Sequence, residues 1–240
     1  MKTAIDINTE RYCNILYDCL MSPCDKNSHD IGYELIGAQI KFLPKAHIDK
    51  SSEAYIKHEL EWYKSQDLCI KGYDGIENNK VWQSCASKFG IVNSNYGWCI
   101  FSEKNNNQLE YAVRSLCRDL MTKQAIMIYT RPSIQTECCD GVHANYDMIC
   151  TCYTNTFVRD KKLIHCVHMR SNDIWFGLRN DLAWQQWVQE HILTRCREYQ
   201  HEKFRDIELG DIIWNADSLH LYNRNYDAAR DFMHEKSYLV

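Results

Sequence analysis

The sequence predicts a protein of the α+β class, in which residues 1–240 form one domain around a single large sheet. Three observations predict it. The chain has 240 residues, enough for one full hydrophobic core. It contains only three prolines and nine glycines, and no low-complexity linker or internal repeat divides it. Segments with strand and helix patterns are interspersed without regular βαβ alternation.

The overall composition limits the kinds of partner. Hydrophobic residues make up 45% and charged residues 25% of the chain, which excludes disordered and fibrous classes. The formal net charge is −4, whereas a protein that grips duplex DNA normally carries a basic surface. We therefore expect no stable DNA binding. No apolar run approaches the length that spans a membrane, so we expect no membrane partner either.

The cysteines indicate a reducing environment. There are thirteen of them, and the opening MKTAIDINTERYC has neither the apolar core nor the cleavage site of a secretion signal. We therefore expect reduced thiols in a cytoplasm. Three sets lie close together: Cys19 with Cys24, Cys138 with Cys139, and HCVH at 165–168. None has the paired C-x-x-C spacing of a zinc site, so we expect no metal.

Three segments have the spacing of amphipathic helices. Residues 52–65 follow a capping serine, either Ser51 or Ser52. Residues 107–123 repeat apolar side chains at helical intervals. Residues 181–199 form a long helix with one apolar face, and a short helix closes the chain.

The remaining patterned segments predict strands. Residues 125–131, AIMIYTR, indicate a buried strand. Residues 147–169 indicate two strands joined by a turn at 159–162, and residues 211–222 are extended again.

Glu59 lies on the apolar side of the helix predicted at 52–65. On a helical wheel with Ile56 at zero, Leu60 falls near about 40° and Tyr63 near about 340°, while Glu59 falls near about 300°, inside the apolar arc. Two interpretations are open. Glu59 extends to water from the edge of the apolar stripe, or it is a carboxyl group in a partly dry cleft whose raised pKa suits acid–base work.

Residues 169–181, MRSNDIWFGLRND, place an arginine, a serine and two aspartates around an apolar stretch, which is unusual for a structural segment. Seven separated motifs, this segment among them, occur in an order that resembles the thymidylate synthase superfamily and, within it, the phage-type deoxycytidylate hydroxymethylases. They are HELEW (58–62), VW (81–82), NYGW (95–98), MIYTRPS (127–133), Cys150, RSNDIWFGLRND (170–181) and WNADSLHLY (214–222).

The resemblance selects one nucleophile among the thirteen thiols. In the family, the nucleophilic cysteine lies twenty residues before the phosphate-binding arginine and thirty-one before the base-reading residue. Counting back from Arg170 and from Asp181 leads to Cys150 in both cases, and Cys152 fails both counts. The thiolate of Cys150 would add to carbon 6 of a pyrimidine so that carbon 5 can attack a one-carbon donor, and the positive charge of Arg170 would favour that thiolate.

The resemblance also implies the co-substrate, 5,10-methylenetetrahydrofolate, and the reaction, 5-hydroxymethylation of a cytosine nucleotide such as dCMP. Glu59 would organise water and proton transfers around the folate and the base. Asp173 and Trp82 match cofactor-binding positions, although ordinary core packing would also explain Trp82. Tyr96 matches a pocket residue near the folate and the thiol.

Asp181 stands where the family's synthases carry asparagine and its cytosine hydroxymethylases carry aspartate. An amide complements the adjacent donor and acceptor of uracil. A carboxyl group can accept from the amine of cytosine and also share a proton with the ring nitrogen, which an amide cannot do. The alternative is that Asp181 only caps the helix at 181–199, a role that Asn180 could fill as well.

Further matches imply how a pyrimidine nucleoside monophosphate would be held. Arg170 and Ser171 match phosphate-binding positions, and His220 and Tyr222 match the pair that binds the sugar 3′-hydroxyl. A His-x-Tyr alternation on an ordinary strand is the simpler explanation for that pair. The implied fold is one mixed sheet flanked by helices, and the implied assembly is a homodimer whose sheets pack back to back.

The phosphate site departs from the family pattern. Lys123 and Gln124 stand where an Arg-Arg pair reaches across the dimer, and the matching basic residue of the N-terminal loop would be Lys26 or His29. The loss of bidentate guanidinium groups weakens phosphate capture. A CMP hydroxymethylase, a thymidylate synthase or dUMP hydroxymethylase, and a catalytically silent nucleotide-binding homologue therefore stay open. So do the final step, by water or by hydride, and the role of the first 45 residues.

Overall fold

The computed structural model describes residues 7–24, 30–45, 47–49, 51–139 and 145–238. Within these residues the helices are α1 (Ile7–Leu20), α2 (Glu53–Ser65), α3 (Lys80–Cys85), α4 (Tyr96–Phe101), α5 (Gln108–Arg118), α6 (Ile134–Cys139), α7 (Gly177–Tyr199), α8 (His201–Phe204) and α9 (Tyr226–Glu235). The strands are β1 (Ile31–Phe42), β2 (Ile126–Ile128), β3 (Thr151–Arg159), β4 (Lys162–Met169), β5 (Asn172–Asp173) and β6 (Glu208–Tyr222). Two 3-10 turns cover Glu103–Asn105 and Asn223–Asn225.

The six strands form one mixed sheet, as predicted. Its order is β1-β6-β4-β3-β2, and β5 pairs with β6 outside this path. The β1–β6, β2–β3 and β3–β4 pairs are antiparallel, whereas β4 and β5 both run parallel to β6. The parallel pairing requires a crossover, which α7 and α8 provide between β5 and β6.

Two of the predicted helices are confirmed with small changes at their ends. The side chain of Ser52 accepts a hydrogen bond from the backbone N–H of Tyr55, so Ser52 is the cap of α2. Helix α5 ends at Arg118, earlier than predicted. The backbone of Asp119 is extended, and its carboxylate accepts the N–H of Met121, which begins the next turn.

The third helix, α7, begins at Gly177 rather than at residue 181. Asp173 stabilises the turn that leads into α7: its Oδ1 accepts the N–H of Trp175 at 3.0 Å, and its Oδ2 accepts the N–H of Phe176 at 3.2 Å. These bonds occupy donors that precede the first helical turn. Asp181 lies in the second turn of α7, so the interpretation of Asp181 as a helix cap is wrong.

The predicted hairpin is confirmed, and the predicted buried strand is only partly correct. β3 and β4 meet at Asp160 and Lys161, which both have positive φ (49° and 58°), the conformation of a tight two-residue hairpin turn. β2 covers only 126–128 and pairs only with β3 at the edge of the sheet. Met127 is fully buried, but Ile126 and Ile128 are 42% and 51% exposed, because alternate side chains of a strand point to opposite faces.

The N-terminal region completes the sheet. β1 pairs with β6 along almost its whole length, from Ile31 opposite Tyr222 to Phe42 opposite Ile212. Helix α1 packs on this pair, with Tyr12, Leu16 and other apolar side chains buried. The sequence left the role of this region open, and the structure assigns it the outer strand of the sheet.

The core lies on one face of the sheet. Every second side chain of β4 is buried, and the intervening ones are half-buried apart from the exposed Lys162. Two groups of buried side chains fill the space under the helices. One joins α2, α4, α5 and α7 to one end of the sheet around Trp62, Tyr63 and Trp184. The other joins α1, the start of α7 and α9 to the opposite end around Trp214 and Phe232.

Candidate active site

The β3–β4 hairpin brings Cys150 and Arg170 side by side. Thr151 and Met169 are paired in the antiparallel register, so the residue before β3 and the residue after β4 are neighbours. The backbone N–H of Arg170 donates to the carbonyl of Cys150 at 2.9 Å, and Nη2 of Arg170 lies 3.6 Å from Sγ. Arg170 also donates from Nε to the carbonyl of Ile149 at 3.1 Å and from Nη2 to that of Met148 at 2.5 Å. The guanidinium group is therefore fixed against the nucleophile candidate.

The surroundings of Cys150 favour its protonated thiol. Burial raises its pKa to about 12, and the charge of Arg170 lowers the pKa only in part. Asp181 and Asp147 raise the pKa further, because nearby carboxylates disfavour a thiolate. Arg170 thus lowers the pKa of the thiol, whereas burial, the larger effect, raises it.

Glu59 is buried, with 6% of its surface exposed. Its Oε1 accepts a hydrogen bond from the hydroxyl of Tyr55 at 2.9 Å, and that hydroxyl accepts from Nε1 of Trp82 at 2.8 Å. Burial and the neighbouring Asp181 raise the pKa of Glu59 to about 8, while the bonds from Tyr55 and Trp82 lower it. The structure therefore supports the interpretation of a dry carboxyl group, and the alternative in which Glu59 extends to water is wrong.

Asp181 faces the same cluster from α7. Nδ2 of Asn172 donates to its Oδ2 at 2.9 Å, and Oδ1 of Asn172 accepts from Nε1 of Trp214 at 3.2 Å, which fixes the orientation of the amide. Burial raises the pKa of Asp181 to about 7, and Asp173 contributes in the same direction. A Cβ atom at Gly177 would approach Nδ2 of Asn172 to 3.3 Å, so a small residue is needed there.

Tyr96 stands at the first position of α4, where Oδ1 of Asn95 caps the helix by accepting the N–H of Trp98 at 2.8 Å. The ring is buried and stacks on Tyr63, with centroids 5.0 Å apart. Burial raises the pKa of Tyr96 well above its usual value, and Asp181 raises it further. The electrostatic contacts of Tyr96 with Asp181 and Cys150 place it in one cluster with these two residues.

The end of β6 supplies a second group of polar side chains. β5 pairs with β6 so that Asp173 lies opposite His220. His220 is buried, and burial lowers its pKa. Its Nε2 has no hydrogen-bond partner among the described residues, so it is available to a ligand. The ring of Tyr222 meets His220 edge to face at 5.0 Å.

The remaining predicted phosphate-binding residues differ in their distance from the cluster. Ser171 is half-buried directly after Arg170. Lys123 is exposed in the loop before β2, where its carbonyl accepts Nδ2 of Asn155 at 3.3 Å, and the described contacts do not connect it to the cluster of its own chain. Lys26 and His29 lie outside the described residues.

Asp147 was not among the sequence candidates. Its Oδ2 accepts the N–H groups of Asn93 and Ser94 at 2.7 and 2.6 Å, and its Oδ1 accepts the hydroxyl of Ser94 at 2.6 Å. These bonds tie the segment before Cys150 to the turn that precedes Tyr96. No sequence signal pointed to Asp147, because its partners are 53 and 54 residues away.

Other residues of the site carried partial signals. Asn172 and Gly177 lie inside the motif at 170–181, and Tyr55 lies one helical turn before Glu59 on α2. These residues lie beside predicted site residues in the sequence, but their contacts with Glu59 and Asp181 are formed only in the folded protein.

A cavity of about 450 Å³ lies between α2, α7 and the segment before α2. Its wall includes Ile56 and Leu60 of α2 together with Arg179 and Leu182 of α7. Neither Glu59 nor Asp181 lines it, although the same two helices carry them. The cavity is therefore a neighbour of the thiol and carboxyl cluster and not part of it.

The described residues contain no group of three or more His, Cys, Asp or Glu side chains that could hold a metal ion. The close sets seen in the sequence have other contacts: Cys19 and Cys24 donate to backbone carbonyls, and His168 stacks on Tyr153. Over the same part of the chain, no helix combines the length and apolar character needed to cross a membrane.

Comparison with known proteins agrees with this geometry. The family model described as thymidylate synthase matches residues 37–239. The deoxycytidylate 5-hydroxymethyltransferase of Enterobacteria phage T4 is 41% identical over 194 residues, which are 80% of this chain and 76% of that protein. A thymidylate synthase of Vesicomyosocius okutanii is 22% identical over 177 residues, 71% of this chain and 60% of that protein.

Among solved structures, the thermostable thymidylate synthase A from Bacillus subtilis superposes with a TM-score of 0.71, covering 95% of this chain and 84% of that one at 19% identity. This likeness confirms the predicted α+β architecture. The 41% identity to the phage T4 protein shows that this chain is homologous to a one-carbon transferase. Because the family model spans most of the sequence, the chain belongs to the thymidylate synthase family.

Proposed function

We propose that the chain converts dCMP, 5,10-methylenetetrahydrofolate and water into 5-hydroxymethyl-dCMP and tetrahydrofolate. One observation carries the proposal: a carboxyl group, Asp181, occupies the base-reading position of the family motif and lies in one cluster with the Cys150 thiol and Glu59. The 41% identity to the phage T4 deoxycytidylate 5-hydroxymethyltransferase supports it. We further propose that residues 1–240 act as a single catalytic domain.

Base recognition follows from the protonation of Asp181. With a pKa of about 7, this carboxyl group is present in both forms near neutral pH. Asn172 donates to Oδ2, and Tyr96 also bonds to this carboxyl group. We assign the bond from the exocyclic amine of cytosine to Oδ1. A proton on the carboxyl group can pass to the ring nitrogen as sulfur adds at carbon 6. Uracil presents a carbonyl in place of the amine, so the carboxyl oxygen that would accept from the amine faces a second acceptor instead.

Covalent catalysis falls to Cys150. Its Sγ forms a bond with carbon 6 of the base, the carbon 5–carbon 6 double bond shifts to carbon 4–carbon 5, and the ring nitrogen takes up the proton that the thiol releases, directly or through Asp181. The resulting enamine makes carbon 5 nucleophilic. Arg170 lies 3.6 Å from Sγ and stabilises the developing thiolate. Glu59, a protonated carboxyl group near neutral pH because its pKa is about 8, donates and accepts protons beside the reacting carbon.

The nucleotide would be held at both ends. We assign its phosphate to Arg170 and Ser171, and its sugar hydroxyl to the free Nε2 of His220 and the hydroxyl of Tyr222. In a homodimer, Lys123 would add a cation to the phosphate site of the second copy. A lysine provides a point charge rather than a bidentate fork, which predicts weaker phosphate capture than a pair of arginines provides.

The residues present also fit the folate. Asp173 has a half-buried carboxylate that can accept further N–H groups, and Trp82 offers a half-buried indole next to Glu59 through Tyr55. When bound, 5,10-methylenetetrahydrofolate supplies the one-carbon unit. Asp173 would orient it through its pterin N–H groups, and Trp82 would exclude water from one side.

We also propose a homodimer formed through the sheet. The face opposite the core carries half-buried side chains, where Tyr153 stacks on His168 with ring centroids 4.3 Å apart. Phe157, Ile164 and Ile213 on the same sheet are half-buried as well. A broad face of this kind is typical of sheets that pack on a partner. Sedimentation at micromolar concentration measures the assembly, and a monomer would contradict it.

Product analysis tests the reaction. The purified chain is incubated with 5,10-methylenetetrahydrofolate and, side by side, dCMP, CMP or dUMP, and products are identified by mass. We expect a hydroxymethyl group on dCMP, with no product from the Cys150→Ser variant. Preference for dUMP would reject the proposed base, and preference for CMP would reject the proposed sugar. A methyl product would indicate hydride as the final donor. Absence of any product would indicate a silent nucleotide-binding homologue.

A further inference from the structure

The phosphate site has too few free donors when only Arg170 is counted. Nε and Nη2 of Arg170 bond to the carbonyls of Ile149 and Met148, and Nη2 also lies 3.6 Å from Sγ of Cys150. Only Nη1 is left for a ligand. A nucleoside monophosphate carries a charge of about −1.5 to −2 near neutral pH. A second cation close to the sugar residues would complete the site.

Arg224 lies next to the proposed sugar-binding residues. It follows β6 in the 3-10 turn Asn223–Asn225, and its guanidinium carbon lies 3.9 Å from the ring centroid of Tyr222. The ring of Tyr222 in turn meets His220 at 5.0 Å. Arg170 is close enough to His220 to affect its pKa, and Cys150 is close enough to Tyr222 to do the same. Tyr222 and His220 therefore connect Arg224 to the catalytic cluster.

The turn that carries Arg224 is held in place from the N-terminal side. The backbone N–H of Asn223 donates to the carbonyl of Asp30 at 2.9 Å. A Cβ atom at Gly32 would lie 2.1 Å from Oδ1 of Asn223, so this close approach depends on a glycine at position 32. The position of Arg224 over Tyr222 is thus built into the fold.

The charge of Arg224 is only weakly engaged. Nη1 lies 3.6 Å from Oδ2 of Asp30, and the two side chains are 58% and 49% exposed. An exposed pair of this geometry contributes little and exchanges readily for a stronger anion. A phosphate offers several acceptor oxygens that match the guanidinium fork. We propose that Arg224 is a second phosphate-binding guanidinium of the nucleotide site, and that it leaves Asp30 when the nucleotide binds.

This inference rests on the proposed function, because it assumes a nucleotide in the cleft. The chain offers a matched control, Arg230 of α9. Arg230 is also exposed, lies 5.8 Å from the ring centroid of Tyr226 and pairs with Asp227 and Asp231 at 3.5 Å. It resembles Arg224 in chemistry and exposure, but no contact among the described residues connects it to Cys150 or His220.

The test compares Arg224→Gln, Arg224→Lys and Arg230→Gln with the wild type by titration calorimetry, using dCMP and deoxycytidine as ligands. For Arg224→Gln we expect the Kd for dCMP to rise about tenfold or more, with an intermediate rise for Arg224→Lys, because a charge-assisted bond to phosphate is lost. The Kd for deoxycytidine, which has no phosphate, stays unchanged, and Arg230→Gln behaves as the wild type. Circular dichroism confirms that each variant folds.

Two results would overturn the inference. An unchanged Kd for dCMP in Arg224→Gln would mean that Arg224 does not bind the phosphate. An equal loss for dCMP and deoxycytidine would mean that Arg224 acts only by holding Tyr222 against the sugar. Failure of the proposed function is visible separately: a wild type that binds dCMP but yields no 5-hydroxymethyl-dCMP in the product analysis would reject the reaction, while the Kd values would still test Arg224. A wild type that binds neither ligand would overturn both.

Discussion

The substitution Asp181→Asn tests base recognition with the smallest possible change in shape. Nε1 of Trp214 donates to Oδ1 of Asn172, so Asn172 must present its amide nitrogen to residue 181. The new asparagine therefore turns its oxygen toward Asn172 and its NH₂ group toward the base. That group opposes the amine of cytosine and complements the carbonyl of uracil.

The expected magnitude follows from these contacts. One charge-assisted hydrogen bond to the amine is lost, and two donors face each other, which together cost about 3 to 4 kcal/mol. This corresponds to a decrease of about 10² to 10³ in kcat/KM for dCMP. For dUMP the same variant gains a favourable contact, so we expect kcat/KM to rise.

Release of tritium from carbon 5 of labelled dCMP and dUMP measures both values in one assay. Asn180→Asp is the control, because it places a carboxyl group one position away on α7 and leaves Asp181 in place. If Asp181→Asn keeps the wild-type preference between dCMP and dUMP, Asp181 does not read the base.

Three further predictions concern protons. Glu59→Gln should lower kcat about 10²-fold or more with little change in the Kd for dCMP, because a proton donor with a pKa of about 8 is removed from the site, and a parallel loss of binding would contradict this. Alkylation of Cys150 by iodoacetamide, followed by mass spectrometry, should be slow near neutral pH and faster in Asp181→Asn, since Asp181 raises the pKa of the thiol; equal rates would refute the coupling. Burial lowers the pKa of His165 to about 4, whereas the imidazole has a pKa of about 6.5 in an unfolded chain. The free energy of unfolding that depends on the neutral ring is therefore fully present above about pH 6.5. It decreases as the pH falls toward 4, by about 3 kcal/mol in total. Urea unfolding of the wild type and of His165→Asn across this range should differ in slope, and parallel curves would exclude His165 as the cause.

The parts of the fold that depend on local pattern were predictable. Asp160 and Lys161 mark a turn between two alternating segments, and Ser52 caps α2, as sequence spacing indicated. The start of α7 was not predictable from spacing, because Asp173 bonds to the N–H groups of Trp175 and Phe176 only once β5 has paired with β6.

In the candidate site, too, some features were predictable from the sequence and others depend on the fold. Family spacing selected Cys150 and Asp181, and the helical wheel selected Glu59, because these signals are carried by the residues themselves. The bond from Trp214 to Asn172 spans 42 residues and those to Asp147 span 53 or more, so no local pattern contains them. The effect of burial on the pKa of the Cys150 thiol, which exceeds that of the adjacent Arg170, likewise depends on the fold and not on local pattern.

The protonation of these side chains has a consequence for the reaction. With pKa values of about 12 and 8, Cys150 and Glu59 hold their protons near neutral pH, while Asp181, with a pKa of about 7, is present in both forms. Forming a thiolate alone would add a negative charge that Arg170 offsets only in part, in a site where burial and Asp181 disfavour it. A proton that passes from Cys150 to the base, directly or through Asp181, leaves the net charge of the cleft unchanged. Attack by sulfur and protonation of the ring nitrogen are therefore expected to be coupled, and the nucleophile becomes active only when a base with an accepting nitrogen is bound beside Asp181.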